Sequence, residues 1–184
     1  MMSFDKTEAQ VVLARLPLSP ASRQFADAWL TMMSDDGSIR AHDITAFIPA
    51  ELLLRVICFE ITPHQVRIRR AGQHIVDAVG IPLVGEDYLK MAPAGQRATR
   101  LGRMCAIVEG HISTHQRWVV NSGGKLHVLN ELALPCGLSE DGLPMIMTFV
   151  DTDSQGAVGH ISPNKGAMNI APVFQSYPIH KRAA

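Results

Sequence analysis

The sequence predicts an α+β fold: a five-stranded antiparallel sheet with helices packed on one face, plus an N-terminal helix. Two observations carry this. Short apolar runs of strand length come as a pair, then give way to a helical middle, then return as three more. Ahead of them, Ala21, Phe25, Ala28, Trp29 and Met32 recur at helical spacing behind a Ser19-Pro20 start.

Each element has a local reason. Residues 8–17 carry Val11, Val12, Leu13 and Leu16 and suit a short helix. Ser19 is an N-cap with Pro20 in the first turn, and Asp35-Asp36-Gly37 ends the helix that follows. From Leu52 to Ala71 two strands meet near Pro63-His64 as a hairpin. His74 to Val79 makes one or two helical turns, and Gly80, Pro82 and Gly85 shape a turn after it. Ala94 to Glu109 is a long helix with Ala98, Leu101, Met104, Cys105 and Val108 as its apolar positions. His111–Val120, Leu126–Leu134 and Leu143–Asp151 are strands, joined by the turn Asn121-Ser122-Gly123-Gly124 and by a loop from Pro135 to Gly142. Three parts follow: a helical extension at 1–37, a central α+β domain at 38–152 and an irregular tail at 153–184. Gly and Pro interrupt every period of the tail, and Phe174 and Tyr177 are its anchors.

The 184 residues suffice for one domain with a real core. Acidic and basic side chains balance at 17 each, which gives no whole-chain attraction to nucleic acid or to an anionic membrane. No apolar run reaches the roughly 18 residues that span a bilayer. The N-terminus lacks the basic start and apolar core of a signal peptide, so the chain reads as cytoplasmic. Cys58, Cys105 and Cys136 are odd in number and widely spaced, and read as free thiols.

Several short motifs stand in fixed order. Trp29 lies on the first long helix. Asp43-Ile44 precedes the first strand, Arg69-Arg70-Ala71-Gly72 closes the second, and Gly80, Leu83 and Gly85 form a Gly-x-x-Leu-x-Gly turn. From about Ala26 to Thr152 the chain resembles a family of PAS domains widespread in alphaproteobacteria. It departs from the family pattern at Thr45, Ala46, Ile68 and Gln73. The resemblance implies a hairpin of two strands, a helical middle and a three-strand meander. It also implies a sensory or regulatory module that is rarely a catalyst. Arg69 needs an acceptor if it is partly buried, with Asp43 as the candidate partner and a solvated Arg69 as the alternative.

Tests for chemistry yield little. Glu109, His111, His115 and His127 would be the best metal cluster, but no His-Glu-x-x-His spacing is present, and no metal is expected. Haem-binding PAS proteins place a His on a helix over the sheet, and here the main helix has none before its end. A flavin photoadduct needs a Cys in an Asn-Cys-Arg-type helix, which none of the three cysteines provides. Asn121-Ser122-Gly123-Gly124-Lys125 lacks the spacing of a phosphate loop and has no helix after it. Arg97, Arg100 and Arg103, with Lys90, make a basic stripe that reads as a solvated helix face or an anion holder.

The expected function is therefore non-enzymatic: a module that binds a small, mostly apolar ligand or a partner protein in signal transduction. The cofactor is not identified. The expected ligand-binding residues are Leu101, Met104, Cys105 and Val108 from the helix, with Ile112, Trp118, Leu132 and Met147 from the sheet. One alternative is a small α+β enzyme, an isomerase or hydrolase with a cone-shaped pocket, using Glu109, His111 or Glu131 as acid or base. Another is a ligand-free dimerisation module. The stripe Ala21, Phe25, Ala28, Trp29 and Met32, with Val11, Val12 and Leu16, predicts a homodimer through the N-terminal helix. No kinase, cyclase or DNA-binding segment is read in the chain, so a signalling partner protein is expected.

Overall fold

A computed structural model describes residues 4–39, 44–120, 126–152 and 173–179, with backbone only at 78, 115–120, 126–128, 152 and 173–175. Two helices come first, α1 (Lys6–Arg15) and α2 (Pro20–Met32). Ser19 caps α2 by accepting from the Ser22 amide, and Pro20 sits in its first turn. Two single-turn helices, α3 (Ile44–Phe47) and α4 (Ala50–Leu53), lead into β1 (Val56–Ile61). β1 and β2 (Val66–Ala71) form the expected hairpin, with Ile61 opposite Val66. The helical middle holds α5 (Gln73–Val79), a 3-10 turn at Ala94–Gln96 and α6 (Arg97–Val108). The strands β3 (His111–Val120), β4 (Leu126–Leu138) and β5 (Pro144–Thr152) make the meander, and β6 (Val173–Pro178) closes the order β2-β1-β5-β4-β3-β6.

All pairings are antiparallel. The fold is α+β, an antiparallel sheet flanked by helices, with the hairpin, helical middle and meander in the expected order. It differs from the sequence expectation in three ways. First, among the described residues the sheet has six strands rather than five. Val173–Pro178, expected to be irregular, pairs along β3 from His111 to Gln116. Its terminal Pro178 is tolerated because this is an edge strand, where one row of amides needs no partner. Second, β4 runs on to Leu138 through the stretch expected to be a loop, with its register to β5 shifting between Pro135 and Leu138. A bulge absorbs the proline without ending the strand.

Third, helices cover both faces of the sheet. α1 and α2 pack on one face, where Phe4, Leu13, Phe25, Trp29 and Met33 meet Val56, Cys58, Leu132, Leu134, Met147 and Phe149. α5, α6 and the segment carrying Leu83 and Leu89 pack on the other, against Ile57, Phe59, Ile68, Ala133, Ile146 and Val150. Neighbouring residues of a strand alternate between the layers, as the two-residue period requires. Every residue of β1 is buried for the same reason.

The apolar stripe of α2 is thus buried within one chain. Phe25, Ala26 and Trp29 are inaccessible to solvent, and the Phe25 ring stacks on Phe149 with centroids 5.1 Å apart. Each such side chain contributes roughly 1.5–3 kcal/mol without a second subunit. The argument for a homodimer through this stripe therefore falls: the surface it relied on faces the chain's own sheet. Polar contacts fix the same helix. The Ser19 hydroxyl donates to Asp151 on β5, and Asp151 also takes a 3.1 Å ion pair from Arg55.

Candidate ligand site between the long helix and the sheet

α6 presents Leu101, Met104 and Val108 at the i, i+3, i+7 positions of one face, with Ile107 beside them. Met104 and Ile107 are buried, and Leu101 and Val108 are half-buried against the same cluster. Beneath lie Ile57 and Phe59 of β1, Ile68 of β2, Ala133 of β4, and Ile146 and Val150 of β5. The Tyr88 ring closes one side. It meets Phe59 at a centroid distance of 4.9 Å and is itself covered by the Arg100 guanidinium, also at 4.9 Å.

Within this apolar layer the sheet carries a polar strip. Ser113, Ala133 and Thr148 are in register across β3, β4 and β5, and Ile57 of β1 completes the row. Met147 and Phe149 belong to the α2 layer while Ile146 and Val150 belong to the α6 layer, so alternation places Thr148 under α6. Ser113 is fully buried and Thr148 is 3% exposed. One position along β4 on the same face, Glu131 is buried and accepts from the Arg103 guanidinium of α6 at 3.3 Å. The buried pair ties the helix to the sheet. The Thr148 hydroxyl has no hydrogen-bond partner.

The eight residues expected to line one cavity do not share one layer. Leu101, Met104 and Val108 lie in the α6 layer. Ile112, Leu132 and Met147 lie in the α2 layer, on the opposite face of the sheet. Cys105 is exposed, and the Trp118 side chain lies outside the described residues. The difference is one of parity. The three strand residues do share a face, but a strand buried on both sides offers no alternation of polar and apolar residues by which to choose it. Ser113, Ala133 and Thr148 of the α6 layer are not singled out by the sequence, which points to Arg103 and Glu131 only in other roles. A charged Glu131 between Leu129 and Ala133 was the one available signal, since a buried carboxylate requires a partner.

The three expected acid–base candidates do not converge. Glu109 is the exposed C-cap of α6, and His111 Nδ1 lies 2.8 Å from the Ser176 hydroxyl. Only Glu131 is buried in the layer. Among the described residues no three His, Cys, Asp or Glu side chains are grouped to hold a metal ion; those of His115 and His127 lie outside the described residues. The basic stripe is divided among three tasks: Arg97 donates to the Ala92 carbonyl, Arg100 covers Tyr88 and Arg103 pairs with Glu131. Residues 121–125 and Asp43 lie outside the described residues, and Arg69 instead faces buried Glu60 at 3.6 Å.

Cys58 and Cys136 are buried in the α2 layer. Burial pushes the Cys58 thiol up to about 12, against a smaller opposite pull from Arg70. Burial, and then the neighbouring Cys58, raise Cys136 well above the usual thiol range.

No family model and no curated protein matches the chain. Solved structures do show likeness. The chain is similar to the Vibrio cholerae VqmA dimer, described with LuxR-type receptors, at 15% identity and a TM-score of 0.43, over 55% of this chain and 48% of that one. It thus spans about half the length of that relative. A fungal LOV domain photoreceptor is similar at 15% identity and a TM-score of 0.38, over 56% of this chain and 76% of the other. The PAS domain of an HTR-like protein from Haloarcula marismortui is similar at 13% identity and a TM-score of 0.36, over 52% and 80%. Among the described residues no helix is long and apolar enough to cross a membrane.

Proposed function

We propose that the chain is a non-enzymatic PAS-like sensory or regulatory module that receives a small, mostly apolar molecule between α6 and the sheet. The observation that carries this reading is the polar strip inside an otherwise apolar layer. Ser113, Thr148 and the Arg103–Glu131 pair are placed where a purely structural core would hold hydrocarbon. Pockets of this composition, apolar walls with a few fixed polar groups, suit small ligands. Leu101, Met104 and Val108 are the helix residues that would touch the ligand.

The order of hairpin, helical middle and meander supports the PAS reading. So do Trp29, Gly72, Gly80, Leu83 and Gly85, the motif residues of the alphaproteobacterial family, each of which has a structural task. Gly72 is one case: a Cβ there would stand 2.3 Å from the Leu54 backbone. On this reading the module acts in the cytoplasm and hands its signal to a partner protein. An enzymatic role is disfavoured because Glu131 is engaged by Arg103 rather than presented to a substrate.

Native mass spectrometry of the purified chain tests the reading. The expected result is a retained small molecule that dissociates on activation. A spectrum of bare chain, together with no stabilisation by any member of a library of uncharged small molecules, overturns it.

A further inference from the structure

We infer that Thr148 is the specificity-determining hydrogen-bond group of this site, selecting an uncharged ligand that carries an apolar body and one hydroxyl or carbonyl group. The inference rests on the reading of the α6 layer as a small-molecule site and deepens it.

Three observations converge on this residue. The Thr148 hydroxyl is buried at 3% exposure and makes no hydrogen bond, which leaves the cost of its desolvation uncompensated. Valine has the same shape and would avoid that cost, so the hydroxyl needs an explanation other than packing. Next, Thr148 stands beside Ala133 and Ser113, and this row of small side chains runs between larger ones, Ile146 and Phe59 on one side and Glu131 and Val150 on the other. The row lies on the face that α6 covers, where Met104 and Ile107 pack in the same layer as Ala133. Finally, the charges of the layer are committed to each other, Arg103 to Glu131 at 3.3 Å. A charged ligand would bring an uncompensated charge into apolar surroundings, and an uncharged one would not. Threonine both donates and accepts, so it serves a hydroxyl or a carbonyl equally.

Phenol and toluene, equal in size and differing by one hydroxyl, are the probes. Both are titrated into the full chain and followed by amide shifts of residues 129–134 and 146–150. The wild-type chain is expected to bind phenol roughly tenfold more tightly than toluene, the worth of one net hydrogen bond. Thr148→Val should reverse the preference toward toluene, since the phenol hydroxyl would then be buried without a partner, and Thr148→Ser should keep the preference for phenol. Urea unfolding gives an independent reading: Thr148→Val should be at least as stable as wild type, because no internal bond is lost. Equal binding of the probes by wild type, or a phenol preference that survives Thr148→Val, overturns the role of Thr148 while leaving the small-molecule site standing. Loss of stability in Thr148→Val also overturns it, by showing that the hydroxyl serves the fold. Absence of shifts with either probe at millimolar concentration overturns the site itself.

Discussion

The indole Nε1 of Trp29 donates a 2.7 Å hydrogen bond to the carbonyl of Pro135, 106 residues further along the chain. Both groups are buried. The bond joins α2 to the bulged end of β4, where a proline has interrupted the ladder and left an acceptor to be satisfied. It explains why this helix belongs to its own sheet.

Replacing Trp29 by Phe should therefore destabilise the chain by about 1–3 kcal/mol, since the Pro135 carbonyl keeps its burial and loses its donor. Phe25→Ala should cost about 3–5 kcal/mol, because it empties the space against Phe149. Urea denaturation followed by intrinsic fluorescence or circular dichroism measures both. Phe25→Asp should not yield a folded sheet, as the introduced carboxylate would be buried without a partner.

The glycines offer a paired comparison. Gly72 has an ordinary extended backbone, with φ −66°, yet a Cβ would stand 2.3 Å from the Leu54 carbonyl. Gly80 has φ 79° and open space around it. Gly80→Ala should cost about 1–2 kcal/mol through the left-handed backbone alone. Gly72→Ala should cost more, because backbone must move, and its unfolding midpoint should fall below that of Gly80→Ala.

Much of this was legible from sequence and some was not. Ser19-Pro20, the hairpin around Pro63 and the long helix were readable because capping, turn chemistry and helical period act locally. β6 was not, because a short edge strand between prolines carries no period of its own. The ligand layer was half legible. The helix shows its apolar face at Leu101, Met104 and Val108. The β5 run Met145-Ile146-Met147-Thr148-Phe149-Val150 is apolar at nearly every position and conceals which residues face which layer. Only the tertiary packing of α2 decides that parity.

Breaking the Arg103–Glu131 pair should be costly in one direction only. Arg103→Leu should lose about 3–5 kcal/mol by leaving the Glu131 carboxylate buried without its cation. Adding Glu131→Leu should recover most of that loss, so the double variant is more stable than either single one. A double-mutant cycle in urea reads the coupling, and additive losses would show that the pair does not act as a unit.

The thiols predict a pH limit. Cys58 holds its proton up to about 12 in the fold and ionises from an ordinary value of 9.0 once unfolded. The unfolded chain therefore binds fewer protons above pH 9, and folded stability should be constant below that pH and decline as it rises toward 12. Cys58→Ala should flatten part of this decline, leaving the contribution of Cys136. At pH 8, alkylation with iodoacetamide should label Cys105 and spare the other two, which peptide mass spectrometry resolves.

Thr148 and Phe149 are joined by a single peptide bond, yet they look into separate compartments. The first faces α6; the second carries the ring that stacks on Phe25 of α2. A displacement of the first across the strand would carry the second with it, because the two share one backbone. If a molecule is held under α6 as proposed, the sheet is a thin diaphragm between it and the N-terminal helix, which would feel the molecule without touching it.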